Sequence, residues 1–283
     1  MFTLKESVTG AVQILVDTLM CEKPEGETTG FSEFDNLTRG MRRGSLTVLV
    51  SPPSQGKTAF SLNIANHLIA RSPAVPVLYC SDLCHTELAF RLLTIASGAD
   101  CSYDGDNGAV EIDRLTGSVR EIADRPLYFM DSRVMDEAFF REVAERQAEK
   151  HFGLMVFDPA LADNLPRLKK LAQDLAVPIL ALASVETREL HIAKFAMADT
   201  VIILNRVRKR SDDRMDSMTL TVVGNRFGMR GSCRLDFAPQ TMRFAEIPDE
   251  AEARYKKTGT VRKMFDRVIR LVRRRRGVVA HRH

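Results

Sequence analysis

The chain has 283 residues, 45% of them hydrophobic and 28% charged, which is ordinary for a soluble globular protein and enough for one large α/β domain with extensions. No apolar run reaches the ~18 residues of a transmembrane span, and the start lacks the basic, apolar and small-residue pattern of a signal peptide, so a cytoplasmic location is the default expectation. Five cysteines (Cys21, Cys80, Cys84, Cys101 and Cys233) are odd in number and lack framework spacing, which fits reduced thiols.

In chain order, Leu4, Val8, Ala11, Val12, Leu15 and Leu19 recur at helical spacing and predict one amphipathic helix over 4–20. Pro24 and Gly26 then open a polar linker, so residues 1–28 are expected as a helix and linker, with the helix packing on its own domain or on a neighbouring subunit. Short apolar runs next alternate with helical patterns. Strands are predicted at 46–50, 75–80, 127–130, 154–158 and 178–183, and helices at 58–70, 86–97, 112–123, 136–150 and 165–175. This alternation predicts a mainly parallel sheet covered on both faces. After Thr200 the pattern turns strand-rich (201–204, 218–223, 232–237 and 242–244), which implies an antiparallel extension at one edge. The main domain is expected over 29–250.

Residues 251–283 carry 12 Lys/Arg against 2 Asp/Glu, a net +10, while the preceding 250 residues carry −6. A basic tail of this kind suits an anionic partner, whether nucleic acid, an acidic protein or a membrane surface. Its blander reading is a solvated helix rich in Arg.

One motif dominates the chemistry. Ser51-Pro-Pro-Ser-Gln-Gly-Lys-Thr58 follows a predicted strand and precedes a predicted helix, the setting in which backbone N–H groups and the helix dipole cradle phosphate. Gly56 lets the backbone approach the ligand, Lys57 neutralises the β- and γ-phosphates, and the Thr58 hydroxyl can coordinate Mg²⁺. The residues expected to contact nucleotide are Pro53, Ser54, Gln55, Gly56, Lys57, Thr58 and Ala59. Ser51 stands where the usual pattern has a first glycine. Leu154-Met-Val-Phe-Asp158 is an apolar strand ending in a carboxylate, and Asp158 is expected to hold the same Mg²⁺ through its water shell. Together these features predict a RecA-like P-loop protein that binds ATP and Mg²⁺. Cys80, Cys84, His85 and Cys101 match no usual zinc spacing.

Thr29-Gly-Phe-Ser-Glu-Phe-Asp-Asn-Leu37, Gly40, Pro53–Thr58, Val77–Ser81, Ala176–Leu182, Ala198–Ile202, Asn225–Gly228 and Arg234–Phe237 occur in the order found in the motor domain of DnaB-type replicative helicases. The chain resembles that family over roughly 3–247, without the family's separate N-terminal domain. The resemblance implies a homo-oligomer, a hexameric ring with nucleotide at subunit interfaces. It also implies an N-terminal helix that docks on the adjacent subunit, single-stranded DNA as a partner, and contact with other replisome proteins. Arg226 falls where the family carries an arginine finger that reaches the neighbour's γ-phosphate.

Departures fall on the hydrolytic apparatus. The family's catalytic glutamate aligns with Leu83, which cannot orient water. Asp82 lies one residue earlier, and the alternation of an extended strand would turn it to the opposite side. The sensor glutamine aligns with Ser184, and the lysine two residues before the finger with Gly224. The loops that would line a DNA channel are short, with Arg188 and Lys194 as their basic residues. Two functions are therefore expected in competition. One is an ATP-driven motor on single-stranded DNA, with Lys57, Asp158, Arg226 and Asp82 as its catalytic residues. The other is a catalytically weak adaptor that uses ATP for assembly and recruits DNA or replication partners. A recombinase-like or clock-like relative sharing the core is a third reading.

Overall fold

The computed structural model describes residues 26–72, 74–100, 108–185, 192–209 and 215–247. The expected helix over 4–20 and the basic tail lie outside the described residues, as does Arg188. The helices are α1 (Ser32–Thr38), α2 (Lys57–Arg71), α3 (His85–Ser97), α4 (Gly108–Ile122), α5 (Glu137–Lys150) and α6 (Leu165–Leu175). The strands are β1 (Leu46–Ser51), β2 (Val77–Ser81), β3 (Leu127–Asp131), β4 (Leu154–Asp158), β5 (Ile179–Ser184), β6 (Thr200–Lys209), β7 (Asp216–Asn225), β8 (Gly231–Ala238) and β9 (Arg243–Glu246).

The strands form one sheet in the order β3-β2-β4-β5-β1-β6-β7-β8-β9. From β3 to β6 every pairing is parallel; from β6 to β9 every pairing is antiparallel. The two-residue side-chain period explains the layers. Val77 and Tyr79 of β2 join Leu154 and Val156 of β4 in a core beneath α2 and α3, with Phe60, Ile64, Leu68, Leu88 and Leu92. Leu78 and Cys80, with Met155 and Phe157, face the other way onto Phe139 and Val143 of α5 and Leu165, Leu168 and Ala172 of α6. Central strands β1, β2 and β4 are buried along their whole length, as expected of parallel strands covered on both faces.

Helix ends follow local chemistry. Asp136 caps α5 by accepting from Phe139 N at 2.9 Å. α6 starts with a proline in its first turn, where the missing N–H costs nothing.

Sequence reading did not anticipate α1, six of whose seven residues sit inside the Thr29–Leu37 motif. Too short to stand alone, it is capped from a distance. The Glu246 carboxylate on β9 accepts from Ser32 N at 2.6 Å, Ser32 Oγ at 2.8 Å, Glu33 N at 2.7 Å and Phe34 N at 3.2 Å. Within the helix, buried Asp35 accepts from Thr29 N and from Thr29 Oγ1 at 2.8 Å, which ties down the residues just before it.

The antiparallel strands also support α2. Asn63 donates to Met242 O at 2.8 Å and accepts from Phe244 N at 3.2 Å. Phe244 stacks on Phe237 with centroids 4.4 Å apart and meets Phe60 edge-on at 5.4 Å.

Candidate functional site

The phosphate-loop motif occupies the turn from β1 into α2, at the carboxyl end of a parallel strand. Backbone φ is +61° at Ser54 and +88° at Gly56, so the loop curls on two left-handed residues and closes on the first turn of α2. A Cβ on Gly56 would lie 3.3 Å from Phe244 Cζ, and an L side chain there would also sit in a strained conformation. The aromatic pair of β8 and β9 thus packs close beneath the loop.

Lys57 is 8% exposed, and its ammonium donates to Ser51 O and Ser51 Oγ at 3.2 Å and to Pro52 O at 3.0 Å. Burial pushes its pKa down, and the Asp158 carboxylate pushes it back up. The cation is therefore held inside the loop concavity, where phosphate oxygens would replace these carbonyls.

Asp158, at the end of β4, lies two strands from β1 in the sheet order, yet its Oδ2 accepts from Thr58 Oγ1 at 2.6 Å. The same oxygen accepts from Tyr79 Oη at 3.2 Å, and Tyr79 Oη is 2.7 Å from Ser61 Oγ. Burial raises the Asp158 pKa; the bonds from Thr58 and Tyr79 and the charge of Lys57 lower it, and Asp82 raises it further. A hydroxyl and a carboxylate oxygen side by side are hard donors of the kind Mg²⁺ takes, and a dication would stabilise the carboxylate. These residues fit that ion, with Thr58 and Asp158 as the groups that could hold it.

The other expected residues divide. Pro53 and Ser54 are exposed at the loop tip. Gln55 turns toward the sheet, where its Oε1 accepts from Arg206 N at 3.3 Å. Ala59 is buried in the core rather than offered by its side chain to a ligand.

At Asp82 the strand alternation expected from the sequence does not hold: β2 stops at Ser81, and Leu83 N turns back to donate to Ser81 Oγ at 3.1 Å. The Leu83 side chain packs against the core. Asp82 is exposed, its N donates to Asp158 O at 3.4 Å, and its carboxylate is near enough to raise the Asp158 pKa.

Arg226 is not brought to the loop. Asn225 pairs with Thr200, and Thr200 pairs with Thr47 near the start of β1, whereas the loop follows the end of β1. Five strand steps of ~3.3 Å put Arg226 roughly 15 Å or more from its own Lys57. Its side chain is 57% exposed at that opposite end of the sheet.

Sequence reading missed Tyr79 as a member of the site. Its signal was present: it shares a face with Ser81 on a buried strand, and a buried tyrosine hydroxyl seeks a polar partner. Arg206 was missed too. It sits near Gln55 and pairs with buried Asp216 at 3.4 Å, a contact across strands that no local spacing announces.

A parallel sheet of order 3-2-4-5-1, a phosphate-type loop after its first strand, and a carboxylate after its fourth define a RecA-like fold. Within that class the chain belongs to the DnaB-like helicase C terminal domain family, whose model matches residues 26–246. It is 28% identical to the replicative DNA helicase DnaB of Treponema pallidum (strain Nichols) over 248 residues, which is 77% of this chain and 56% of that protein. Against the replicative DNA helicase DnaB of Geobacillus stearothermophilus it is 26% identical over 187 residues, 58% of this chain and 41% of that protein. The chain thus spans about half the length of these curated relatives.

Among solved structures, the ATPase domain of G40P superposes with a TM-score of 0.70 at 18% identity, covering 87% of this chain and 99% of that one. A DnaB-like replicative helicase, solved in a study of its interactions with primase, gives 0.72 at 19% identity, over 87% and 69% of the respective chains. At these identities the likeness shows the shared fold.

Proposed function

We propose that this chain is an ATP-hydrolysing helicase subunit that works on single-stranded DNA during replication, as a ring with nucleotide between subunits. The observation that carries the reading is the set Lys57, Thr58 and Asp158: a buried ammonium in the loop, with a hydroxyl and a carboxylate 2.6 Å apart beside it. Lys57 would neutralise the phosphates, and Thr58 and Asp158 would hold Mg²⁺, whose chemistry is to offset charge on the β- and γ-oxygens. Asp82, exposed and joined through its backbone N–H to Asp158 O at 3.4 Å, is the carboxylate assigned to orient the attacking water in place of the glutamate. Arg226 lies too far from its own loop to serve it, so its role is in trans on a neighbour's γ-phosphate. The family membership supports reading the ring as hexameric, with other replisome proteins as partners and a cytoplasmic setting.

The test is steady-state ATP hydrolysis with and without single-stranded DNA, for wild type, Lys57→Ala and Asp82→Asn. DNA-stimulated turnover that Lys57→Ala abolishes, and that Asp82→Asn lowers by ~10²-fold or more with ATP affinity unchanged, supports the motor. Wild-type turnover equal to Lys57→Ala despite ATP binding would overturn it in favour of the adaptor reading, in which nucleotide serves only assembly. Unchanged turnover in Asp82→Asn would remove Asp82 alone.

A further inference from the structure

At the end of the sheet opposite the loop, a buried ion pair lies beside Arg226. Asp199 is 2% exposed at its side chain and pairs with Lys169 of α6. Its Oδ2 also accepts from Leu46 N at 2.9 Å, so one carboxylate oxygen serves both. The other oxygen, Oδ1, faces Arg226 Nε at 3.8 Å, an electrostatic contact rather than a hydrogen bond. Arg226 N donates to Asp199 O at 2.9 Å, and one Arg226 terminal nitrogen donates to Ala196 O at 3.3 Å.

The main chain of the turn is fixed as well. Asn225 donates to Leu37 O and to Met229 O at 3.1 Å and accepts from Phe227 N at 3.0 Å. Arg226 is therefore held at its backbone, by one terminal nitrogen on Ala196 O, and by the charge of Asp199 beside Nε, while more than half of the side chain stays exposed.

Fastening β6 to β1 and α6 does not of itself require charge, because a buried ion pair is rarely more stable than apolar residues of the same volume. A fixed carboxylate beside a long, mobile cation does have a use, since orientation in advance lowers the entropy lost when the cation engages its target. We infer that Asp199, neutralised on its inner side by Lys169, is a positioning residue that orients Arg226 toward the nucleotide of an adjoining copy of the chain. This rests on the trans role given to Arg226 above.

The test is a mutant cycle on the full chain. Affinity for ADP with aluminium fluoride, a mimic of the transferring phosphoryl group, is read beside affinity for ADP alone. The proteins are wild type, Arg226→Ala, the neutral pair Asp199→Asn with Lys169→Met, and the triple variant. Asn keeps an oxygen for Leu46 N, and removing Lys169 leaves no unpaired charge.

Arg226→Ala and the neutral pair should each lose ~10²-fold in fluoride-dependent affinity and keep ADP affinity. The triple variant should be no weaker than Arg226→Ala, because the two act through one group. A neutral pair equal to wild type, where Arg226→Ala is impaired, overturns the positioning role and leaves the trans role standing. A further loss in the triple variant also overturns it, by showing that Asp199 acts through the fold. Wild type that gains nothing from fluoride, or Arg226→Ala that loses nothing, removes the trans role and this inference together. Asp199→Glu, which keeps the ion pair but advances the carboxylate by one methylene, replaces the neutral pair if that does not fold, with the same outcomes.

Discussion

Lys57→Met separates the loop's ligand role from its structural one. In the free protein the ammonium is nearly enclosed, at 8% exposure, and makes three bonds of 3.0–3.2 Å to Ser51 and Pro52. Those bonds offset a desolvation that already pushes its pKa down, so removing charge and bonds together changes folding little. Methionine is of similar length and fills the same channel. The melting temperature should stay within about 4 °C of wild type, the shift that roughly 1 kcal/mol produces in a domain of this size. Nucleotide binding should respond differently. A unit charge 4 Å from a phosphate oxygen in a medium of effective dielectric about 20 contributes about 4 kcal/mol, or ~10³-fold in Kd. Calorimetric titration with ATP and magnesium, beside a circular dichroism melt, reads both. A variant that melts like wild type and binds ATP within tenfold of it would refute the assignment of Ser51–Thr58 as the phosphate cradle.

Glu246→Ala leaves three backbone N–H groups at the start of α1 without their shared acceptor and should cost about 2 kcal/mol in urea unfolding. Burial raises the Asp35 pKa from 3.8 to about 6, so its contribution to stability is complete below pH ~4 and is lost as pH rises through about 6. That loss amounts to about 3 kcal/mol. The Asp35→Asn variant should therefore show less decline between pH 4 and 7 than wild type, and parallel urea stability curves for the two would contradict the shift. Removing 251–283 takes away a net +10 and should weaken single-stranded DNA binding and flatten its dependence on salt; an unchanged slope in a fluorescence titration would clear the tail of DNA contact.

What was legible in the sequence was whatever a local pattern dictates. Strand–helix alternation read out the parallel sheet and both its layers, because period-2 and period-3.6 burial are imprinted residue by residue. The loop at Ser51–Thr58 was legible because a strand, a Gly-Lys-Thr turn and a helix are contiguous. Contacts that join distant segments were not. The cap on α1 comes from Glu246, separated by over 200 residues from Ser32; without it Ser32–Thr38 carries too little helical signal to stand out from a loop. Lys169 and Asp199 each look like surface charges in sequence, and only the packing of α6 against the start of β6 buries them together.

The register beside Asp82 shows why alignment by position misleads at strand ends. Counting from Ser81 puts Leu83 at the glutamate's place and implies a dead site. That count is valid only while the backbone stays extended, and here the extension ends at Ser81, whose own hydroxyl captures Leu83 N. Beyond such a turn, what decides orientation is the solvent preference of each side chain. Leucine gains by joining the core beside Leu88, whereas an ionised aspartate cannot be buried there without a partner. The two residues consequently divide, Leu83 packed against the core and Asp82 exposed. The loss of glutamate at one aligned position is therefore no measure of lost chemistry. What matters is whether a carboxylate can reach the phosphates, and within Ser81–Cys84 the one carboxylate is Asp82.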